Sequence, residues 1–208
     1  MIARRIAVIS AGVGTPSSTR LLADRLAAAA GDALRERGGT AEIEIIELRP
    51  LARELADAIL TGFPAGALRA AVGSVTAADA VVAVTPVFAG SYSGLFKTFV
   101  DVLEPGALDG KPVLLAATAG TVRHSLVIEH ALRPLFSYLH ALTVPTGVFA
   151  GPEDWAAGDG TTLADRITRA TTELAGLLAG ARPTPSRTAA VRDPFAEPTP
   201  FEQLLRQA

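Results

Sequence analysis

The chain has 208 residues, 49% of them apolar, which is enough for one domain with a sizeable core. Its formal net charge is −2, with acidic and basic residues interspersed, and this balance argues against a nucleic-acid partner. The absence of cysteine excludes disulfides and thiolate metal sites and fits a protein of the reducing cytoplasm. The apolar run at 6–9 is too short to span a membrane, so we predict no membrane segment there.

Apolar, β-branched runs alternate with helical patterns along the chain. We predict strands at 5–10, 41–48, 79–88, 111–118 and, with Pro145 inside it, 142–150. We predict helices near 18–38, 66–77, 93–103, 124–140 and 162–179. This alternation predicts an α/β fold, a flavodoxin-like three-layer sandwich in which a five-stranded parallel sheet has the order 2-1-3-4-5.

The strand patterns also predict positions in that sheet. The run at 41–48 alternates Ile with Glu, which predicts a half-exposed edge strand. The runs at 79–88 and 111–118 are continuously apolar, which is typical of strands that are buried on both faces.

The composition changes after Gly180. Residues 181–200 contain five prolines, which predicts an extended tail. Phe201, Leu204 and Leu205 share one face of a short predicted terminal helix, which we expect to dock on a neighbouring subunit. We therefore divide the chain into a flavodoxin-like domain at 1–180 and a proline-rich tail at 181–208.

Ligands of such sheets bind beyond the carboxyl ends of the strands, so the loops after the first, third and fourth predicted strands form the candidate site. The first loop, SAGVGTPSSTR at 10–20, puts Ser17, Ser18 and Thr19 where a helix begins. Backbone N–H groups and the helix dipole favour an anion such as phosphate there, and hydroxyls add donors without charge. The alternative is an ordinary N-cap, for which Ser and Thr are also preferred.

The second and third loops carry small residues at the ends of buried strands. The second, TPVFAGSYSGLFKTFVD at 85–101, contains Gly90, and its bare backbone suits the close approach of a flat ring. The third, ATAGTVRHS at 117–125, offers Arg123 as a charged group. The alternatives are a tight strand-to-helix connection in the second loop and a helix cap at Thr121 in the third. Three such loops at neighbouring strand ends favour a binding site.

The segments 85–101 and 107–136 resemble those of the NADPH-dependent FMN reductases of two-component monooxygenase systems. These include reductases of alkanesulfonate desulfonation and actinobacterial reductases partnered with luciferase-like monooxygenases. The resemblance extends from residue 4 to about residue 180. It implies a cytoplasmic NAD(P)H:flavin oxidoreductase that uses FMN and NADPH, forms a homodimer or homotetramer, and passes reduced flavin to a flavin-dependent monooxygenase.

The resemblance also implies roles for residues of the three loops. The FMN phosphate would be held by hydroxyl residues of the first loop, namely Ser10, Ser17, Ser18 and Thr19. The isoalloxazine would be bordered by residues of the second loop, namely Pro86, Val87, Phe88, Gly90, Ser91 and Tyr92. The other side of the ring would be lined by Thr118, Ala119, Gly120 and Thr121. Arg123 is our candidate for a contact with an NADPH phosphate.

The chain departs from the family pattern at two positions. Ala119 stands where the family commonly has the first of two glycines, which adds a methyl group beside the ring. His130 stands where some relatives have a tyrosine, on a helix that the resemblance implies to have a π-bulge at the subunit interface. The histidines of the chain lack the spacing of a metal site on one helical face, so we predict no bound metal.

Hydride transfer from nicotinamide C4 to flavin N5 takes place between two cofactors, so we predict that the protein supplies position and electrostatics and no catalytic side chain. Three alternatives stay open. A quinone or azo reductase would keep FMN bound and pass its electrons to a second substrate. A non-enzymatic flavin electron carrier of this fold is usually strongly acidic and clamps the ring between aromatic residues. The third alternative is a dinucleotide-sensing regulatory module.

Overall fold

The computed structural model describes residues 3–156 and 161–180. The tail predicted for 181–208, with its terminal helix, lies outside the described residues. The strands are β1 (Ala3–Ser10), β2 (Thr40–Glu47), β3 (Ala80–Phe88), β4 (Ser91–Tyr92), β5 (Pro112–Thr118), β6 (Leu142–Thr143) and β7 (Val148–Ala150). The α-helices are α1 (Ser18–Glu36), α2 (Ala52–Thr61), α3 (Gly66–Ala77), α4 (Gly94–Asp101), α5 (Arg133–Tyr138), α6 (Pro152–Ala156) and α7 (Thr161–Gly180). A 3₁₀ turn at Val122–His124 and a π turn at Ile128–Leu132 precede α5.

The sheet has the predicted topology. Its order is β2-β1-β3-β5-β6, all parallel, with β7 also paired to β5. The predicted order 2-1-3-4-5 is therefore confirmed, with β6 and β7 as two pieces of the fifth strand. The strand is interrupted around Pro145, which has no N–H for the ladder. The alternating strand β2 lies at the edge of the sheet with its glutamates exposed, as predicted.

Each face of the sheet is covered by helices and has its own core. On one face, side chains of α2, α3, α4 and α5 pack against the sheet and form a core that includes the buried Phe96, Phe99 and Phe136. On the other face, side chains of α1 and α7 pack against each other and against the sheet, and this second core includes the buried Leu26 and Leu174. The arrangement is the three-layer α/β sandwich of the prediction. Among the described residues no single helix is long and apolar enough to cross a membrane; only α2 and α3 taken together, bent by 85°, reach that length and composition.

The helix predictions were wrong in three places, one of which is the short α6, which was not predicted. The prediction contained no helix at 52–61, where α2 forms, because its N-cap residue Leu51 makes no side-chain capping bond and so gives no start signal. The single helix predicted at 124–140 is instead a 3₁₀ turn, a π turn and the short α5. The π turn includes His130, so the implied departure from α-helical geometry at this residue is confirmed.

Two charged side chains bind the segment that interrupts the fifth strand between β6 and β7. The Arg133 guanidinium donates to Thr143 Oγ1 (3.0 Å), to the Val144 carbonyl (3.1 Å) and to the Pro145 carbonyl (3.0 Å). From the other face of the sheet, the Glu173 carboxylate accepts from the backbone N–H (2.8 Å) and the hydroxyl (2.7 Å) of Thr146. Backbone groups that the interrupted ladder leaves unpaired thus find side-chain partners.

Candidate functional site

The candidate site lies at the carboxyl ends of three adjacent strands. β1 pairs with β3 up to Ser10 and Val84, and β3 pairs with β5 up to Pro86 and Thr118. The first, second and third loops therefore emerge side by side at one edge of the parallel sheet. This is the edge at which doubly wound sheets bind their ligands.

In the first loop, Ser17 is the N-cap of α1. Its Oγ accepts a hydrogen bond from the Arg20 N–H at 3.2 Å, so the capping alternative is correct for this residue. The Ser17 hydroxyl still has its own proton to donate, so a cap and an anion contact are compatible. Ser18, the first residue of the helix, is exposed beside it.

Thr19 joins the first loop to the third. Its hydroxyl and that of Thr118 are both buried and lie 2.8 Å apart in a hydrogen bond that spans 99 positions of the sequence. Because these two hydroxyls satisfy each other, Ser17 and Ser18 are the first-loop hydroxyls that are better placed to reach a ligand. Ser10 is also buried, at the end of β1.

The first loop is wrapped tightly around Gly12. A Cβ atom at this position would overlap Ser17 Oγ and lie 3.1 Å from Thr19 Cβ. A Cβ at Gly14 would lie 3.0 Å from the Pro16 carbonyl oxygen. The chain therefore needs these glycines for its own packing.

The second loop is a tight β-hairpin, which the sequence analysis did not predict. Val87 and Phe88 of β3 pair antiparallel with Tyr92 and Ser91 of β4. The two linking residues, Ala89 and Gly90, have φ values of 50° and 81°, as the two-residue turns of type I′ require. The hairpin raises an exposed tip above the sheet edge, with Phe88 48% exposed.

Two buried hydroxyls fix the base of this hairpin. Thr85 Oγ1 donates to the Pro86 carbonyl at 3.0 Å and accepts from the Ser93 N–H at 3.1 Å. Ser93 Oγ in turn accepts from the Phe96 N–H at 3.2 Å and so caps α4. The sequence analysis gave Thr85 and Ser93 no role, although Ser93 directly before an apolar helical run is an N-cap signal.

The third loop leaves β5 with a bond from the Ala119 N–H to the Ala150 carbonyl at 3.2 Å. Thr121 Oγ1 accepts from the Arg123 N–H at 3.4 Å, so the predicted cap at Thr121 is present, on a 3₁₀ turn. Gly120 and Arg123 are exposed.

Three glycines of these loops face open space, namely Gly90, Gly94 and Gly120. A Cβ at Gly90 or at Gly120 would meet no heavy atom of the described chain within 4 Å. Between them the site offers backbone, hydroxyls and small side chains. No cluster of three His, Cys, Asp or Glu residues suited to a metal occurs among the described residues. The arrangement can therefore bind and orient a flat ligand with an anionic end.

The predicted site residues differ in burial. Those that are buried are Ser10, Thr19, Pro86 and Thr118. Those that are half-buried are Ser17, Val87, Ser91, Tyr92, Ala119 and Thr121. Those that are exposed are Ser18, Phe88, Gly90, Gly120 and Arg123. All belong to the three loops, so the structure brings them to one edge, and their contacts with a ligand stay predictions.

Comparison with known proteins gives consistent results. The profile of the family described as NADPH-dependent FMN reductase matches residues 4–156. An FMN reductase (NADPH) of Pseudomonas aeruginosa is 38% identical over 151 residues, which cover 73% of this chain and 78% of that protein. The NADH-dependent FMN reductase SfnE of Pseudomonas putida is 40% identical over 151 residues, covering 73% of this chain and 78% of that protein. The crystal structure of an oxidoreductase from Corynebacterium diphtheriae aligns with a TM-score of 0.83 at 46% identity, covering 86% of this chain and 99% of that one.

Proposed function

The chain belongs to the NADPH-dependent FMN reductase family, and from that premise we propose that it reduces FMN with NAD(P)H and releases the reduced flavin to a flavin-dependent monooxygenase. It is an oxidoreductase, and FMN and a nicotinamide nucleotide are its cofactors. One relative is described as acting with NADPH and another with NADH, so we write the donor as NAD(P)H. We also propose a cytoplasmic location, where both nucleotides are available.

The observation that carries the proposal is that the hydroxyl-rich start of α1 lies at the same sheet edge as the open space beside Gly90 and Gly120. FMN has a phosphate at one end and a flat ring at the other. Ser17 and Ser18 at the start of α1 suit the phosphate. Gly90 and Gly120 leave room that the chain itself does not fill, and this room suits the ring. The residues therefore fit the cofactor.

The bound flavin supplies the redox chemistry, because its ring accepts a hydride from the nicotinamide. The chain contributes binding and orientation. The first loop would hold the phosphate, which fixes the position of the whole molecule relative to the sheet. The hairpin tip and the third loop would set the plane of the ring and leave one face accessible to a second ring, so rate enhancement comes from orientation.

A dissociable flavin is central to the proposed partnership with a monooxygenase. Two features support it: the resemblance of 85–101 and 107–136 to reductases of two-component systems, and the exposure of both loops beside Gly90 and Gly120. A site open to solvent lets the reduced flavin leave.

We propose a homodimer or homotetramer with an interface beside the π turn. Leu126 and Tyr138, on either side of it, are 61% and 81% exposed. Contiguous apolar patches mark contact sites in many proteins, and we propose that these two side chains belong to such a patch. Light scattering gives the assembly size, and Leu126→Ser together with Tyr138→Ser should shift it toward the monomer. A monomeric wild type would contradict this part of the proposal.

The experiment that tests the activity measures NADPH and NADH oxidation by the purified protein with and without added FMN, together with its visible absorbance. Oxidation that requires added FMN supports the reductase. A yellow protein that reduces quinones or azo dyes would point to a retained flavin and a second substrate. A yellow protein that does not oxidise either nucleotide would point to an electron carrier and would contradict the proposal.

A further inference from the structure

Two arginines lie beside the first loop, and they differ in how their charges are compensated. Arg20, in the first turn of α1, donates from Nε to Asp24 Oδ1 at 2.8 Å and also pairs with Glu47. The hydrogen bond to Asp24 is the largest cause of a raised pKa at Arg20, so this guanidinium is held as a cation by its own carboxylates. Two acidic partners neutralise it.

Arg49 reaches the same loop from the carboxyl end of β2. The Leu48 N–H donates to the Ser10 carbonyl at 3.0 Å, which extends the pairing of β2 with β1 by one residue. Arg49 follows directly, and its Nη1 donates to Thr15 Oγ1 in the first loop. The side chain is exposed, and no carboxylate of the described residues pairs with it. Arg49 is thus an uncompensated cation that is tethered to the loop by a neutral hydroxyl.

The loop itself has no charged side chain before Arg20. Residues 11–19 are Ala, Gly, Val, Gly, Thr, Pro, Ser, Ser and Thr. A bound phosphate monoester would therefore find hydroxyls, N–H groups and the helix dipole, but no full positive charge from the loop. An arginine with free N–H donors at the rim can supply that charge and can bind phosphate oxygens in a bidentate manner.

We propose that Arg49 is the residue by which this protein selects a phosphorylated flavin, through a charge-assisted contact with the phosphate of FMN. The inference rests on the proposed function, because it assigns a residue to the phosphate end of the same ligand. In this arrangement Thr15 is a positioning residue, since it holds the guanidinium at the rim of the loop.

The test compares the binding of FMN and of riboflavin to wild type, Arg49→Ala and Arg53→Ala by quenching of flavin fluorescence. Arg53 is the matched control: it is exposed on α2, its removal changes the net charge equally, and no hydrogen bond among the described residues joins it to the first loop. Arg49→Ala should weaken FMN roughly 5- to 10-fold and leave riboflavin unchanged, because only FMN has the charged phosphate. The loss should shrink at high ionic strength, where exposed charges are screened.

Two further variants sharpen the assignment. Arg49→Lys should recover part of the FMN affinity, because it keeps the charge and loses the planar fork. Thr15→Val should weaken FMN by less than Arg49→Ala, because it releases the guanidinium without removing it. Circular dichroism of each variant reports whether the fold is intact.

The outcomes separate this inference from the proposed function. Wild-type protein that binds no flavin and oxidises no NAD(P)H would overturn both. Wild-type protein that binds FMN while Arg49→Ala matches Arg53→Ala would overturn the inference alone. Equal weakening of FMN and riboflavin would also overturn it, because Arg49 would then shape the loop and not contact the phosphate.

Discussion

The two ends of the candidate site use glycine for opposite purposes. At the anion end, formed by the first loop, a side chain at Gly12 would overlap Ser17 and crowd Thr19. At the ring end, formed by the second and third loops, a Cβ at Gly90 or Gly120 would have no heavy atom of the described chain within 4 Å, although Gly90 has a positive φ of 81°. Glycine at the anion end is therefore explained by the protein alone. At Gly120, where the backbone imposes no positive φ, the described chain gives no steric reason for glycine, and we propose that the ring of FMN is the reason.

The comparison distinguishes a tightly packed loop, which we propose as a preformed anion cradle, from an exposed surface that we propose to be completed by the flavin. At the anion end the loop is packed around Gly12, with Ser17 capping α1 and Thr19 bonded to Thr118. At the ring end the hairpin is fixed at its base by Thr85 while its tip is exposed. Substitutions should accordingly affect both folding and binding at the anion end, and binding alone at the ring end.

The largest effect is expected from Gly120→Val. The new Cβ would meet no heavy atom of the described chain within 4 Å, so the melting temperature should stay near that of wild type. It would occupy the space proposed for the ring, so FMN binding should no longer be detectable. Titration of FMN measures this, and Gly73→Val, at an exposed position of α3 with equally open surroundings, is the control. Normal FMN binding by Gly120→Val would show that the ring lies elsewhere.

The double change Ser17→Ala with Ser18→Ala tests the anion end. Each hydrogen bond lost to a charged phosphate should cost roughly 1.5–3 kcal/mol of FMN binding. Riboflavin, which lacks the phosphate, should be affected much less. Because Ser17 also caps α1, its loss should lower the free energy of unfolding by about 0.5–2 kcal/mol. Ser18→Ala alone separates binding from capping, and equal weakening of both flavins would place the phosphate outside the first loop.

Gly12→Ala should lower both the stability of the fold and the affinity for FMN. A combined loss is expected in the first loop and not in the second or third. The methyl group must displace the Ser17 hydroxyl, and such overpacking costs about 1–3 kcal/mol of folding free energy. Urea denaturation measures this cost, and FMN titration should show weaker binding in the same variant. Gly31→Ala in α1, where a Cβ makes an ordinary 3.5 Å contact with Ile43, should be neutral or stabilising. A Gly12→Ala protein of wild-type stability would mean that the loop is not a rigid cradle.

The smallest effect concerns the opposite edge of the sheet, at the amino end of β5. Lys111 Nζ donates to the Val75 carbonyl at 2.7 Å and the Thr76 carbonyl at 2.8 Å, and burial lowers its pKa from 10.5 to about 8. The unfolded chain therefore binds more protons than the folded one between pH 8 and 10.5, so the free energy of unfolding should rise with pH in that window. The rise should be on the order of 1 kcal/mol, because solvent screens a partly exposed ammonium.

Lys111→Met should remove that pH dependence and leave FMN affinity unchanged. The measurement is urea denaturation at pH 8 and above, with FMN titration at the same pH values. Lys97→Met, which removes an exposed ion pair with Asp101 at 2.6 Å, is the control for the loss of a lysine. A change in FMN affinity in Lys111→Met would contradict our expectation that the amino end of β5 takes no part in flavin binding.

Local patterns were sufficient to predict most of the fold. The strands β1, β2, β3 and β5 follow from their apolar runs, and the sheet order follows from strand–helix alternation. The helix α2 was missed because Leu51 gives no capping signal. The hairpin was missed because its turn is Ala89-Gly90 and not the Asn-Gly or Asp-Gly pair that marks a type I′ turn.

The site was predictable as a set of loops but not as a set of contacts. The positions of the three loops follow from the parallel sheet, since the carboxyl ends of its strands share one edge. The bond between Thr19 and Thr118 joins residues 99 positions apart, and no local pattern reports such a pair. The same holds for Arg49 and Thr15, which come together only because β2 lies beside β1.

The π turn before α5 determines which way the side chains after it point around the helix axis. The Arg133 N–H donates to the Ile128 carbonyl, so these two residues lie one above the other, whereas residues five apart in an α-helix lie about 140° apart around the axis. Both therefore face the interrupted strand: Ile128 packs on Gly147, where a Cβ would lie only 2.6 Å away, and Arg133 binds the Pro145 carbonyl. Deleting one residue from this turn would rotate either Ile128 or Arg133 away from the interrupted strand. Substituting the exposed His130 would not change either orientation. We therefore expect substitutions at residue 130 to be tolerated, and insertions or deletions within Ile128–Leu132 not to be tolerated.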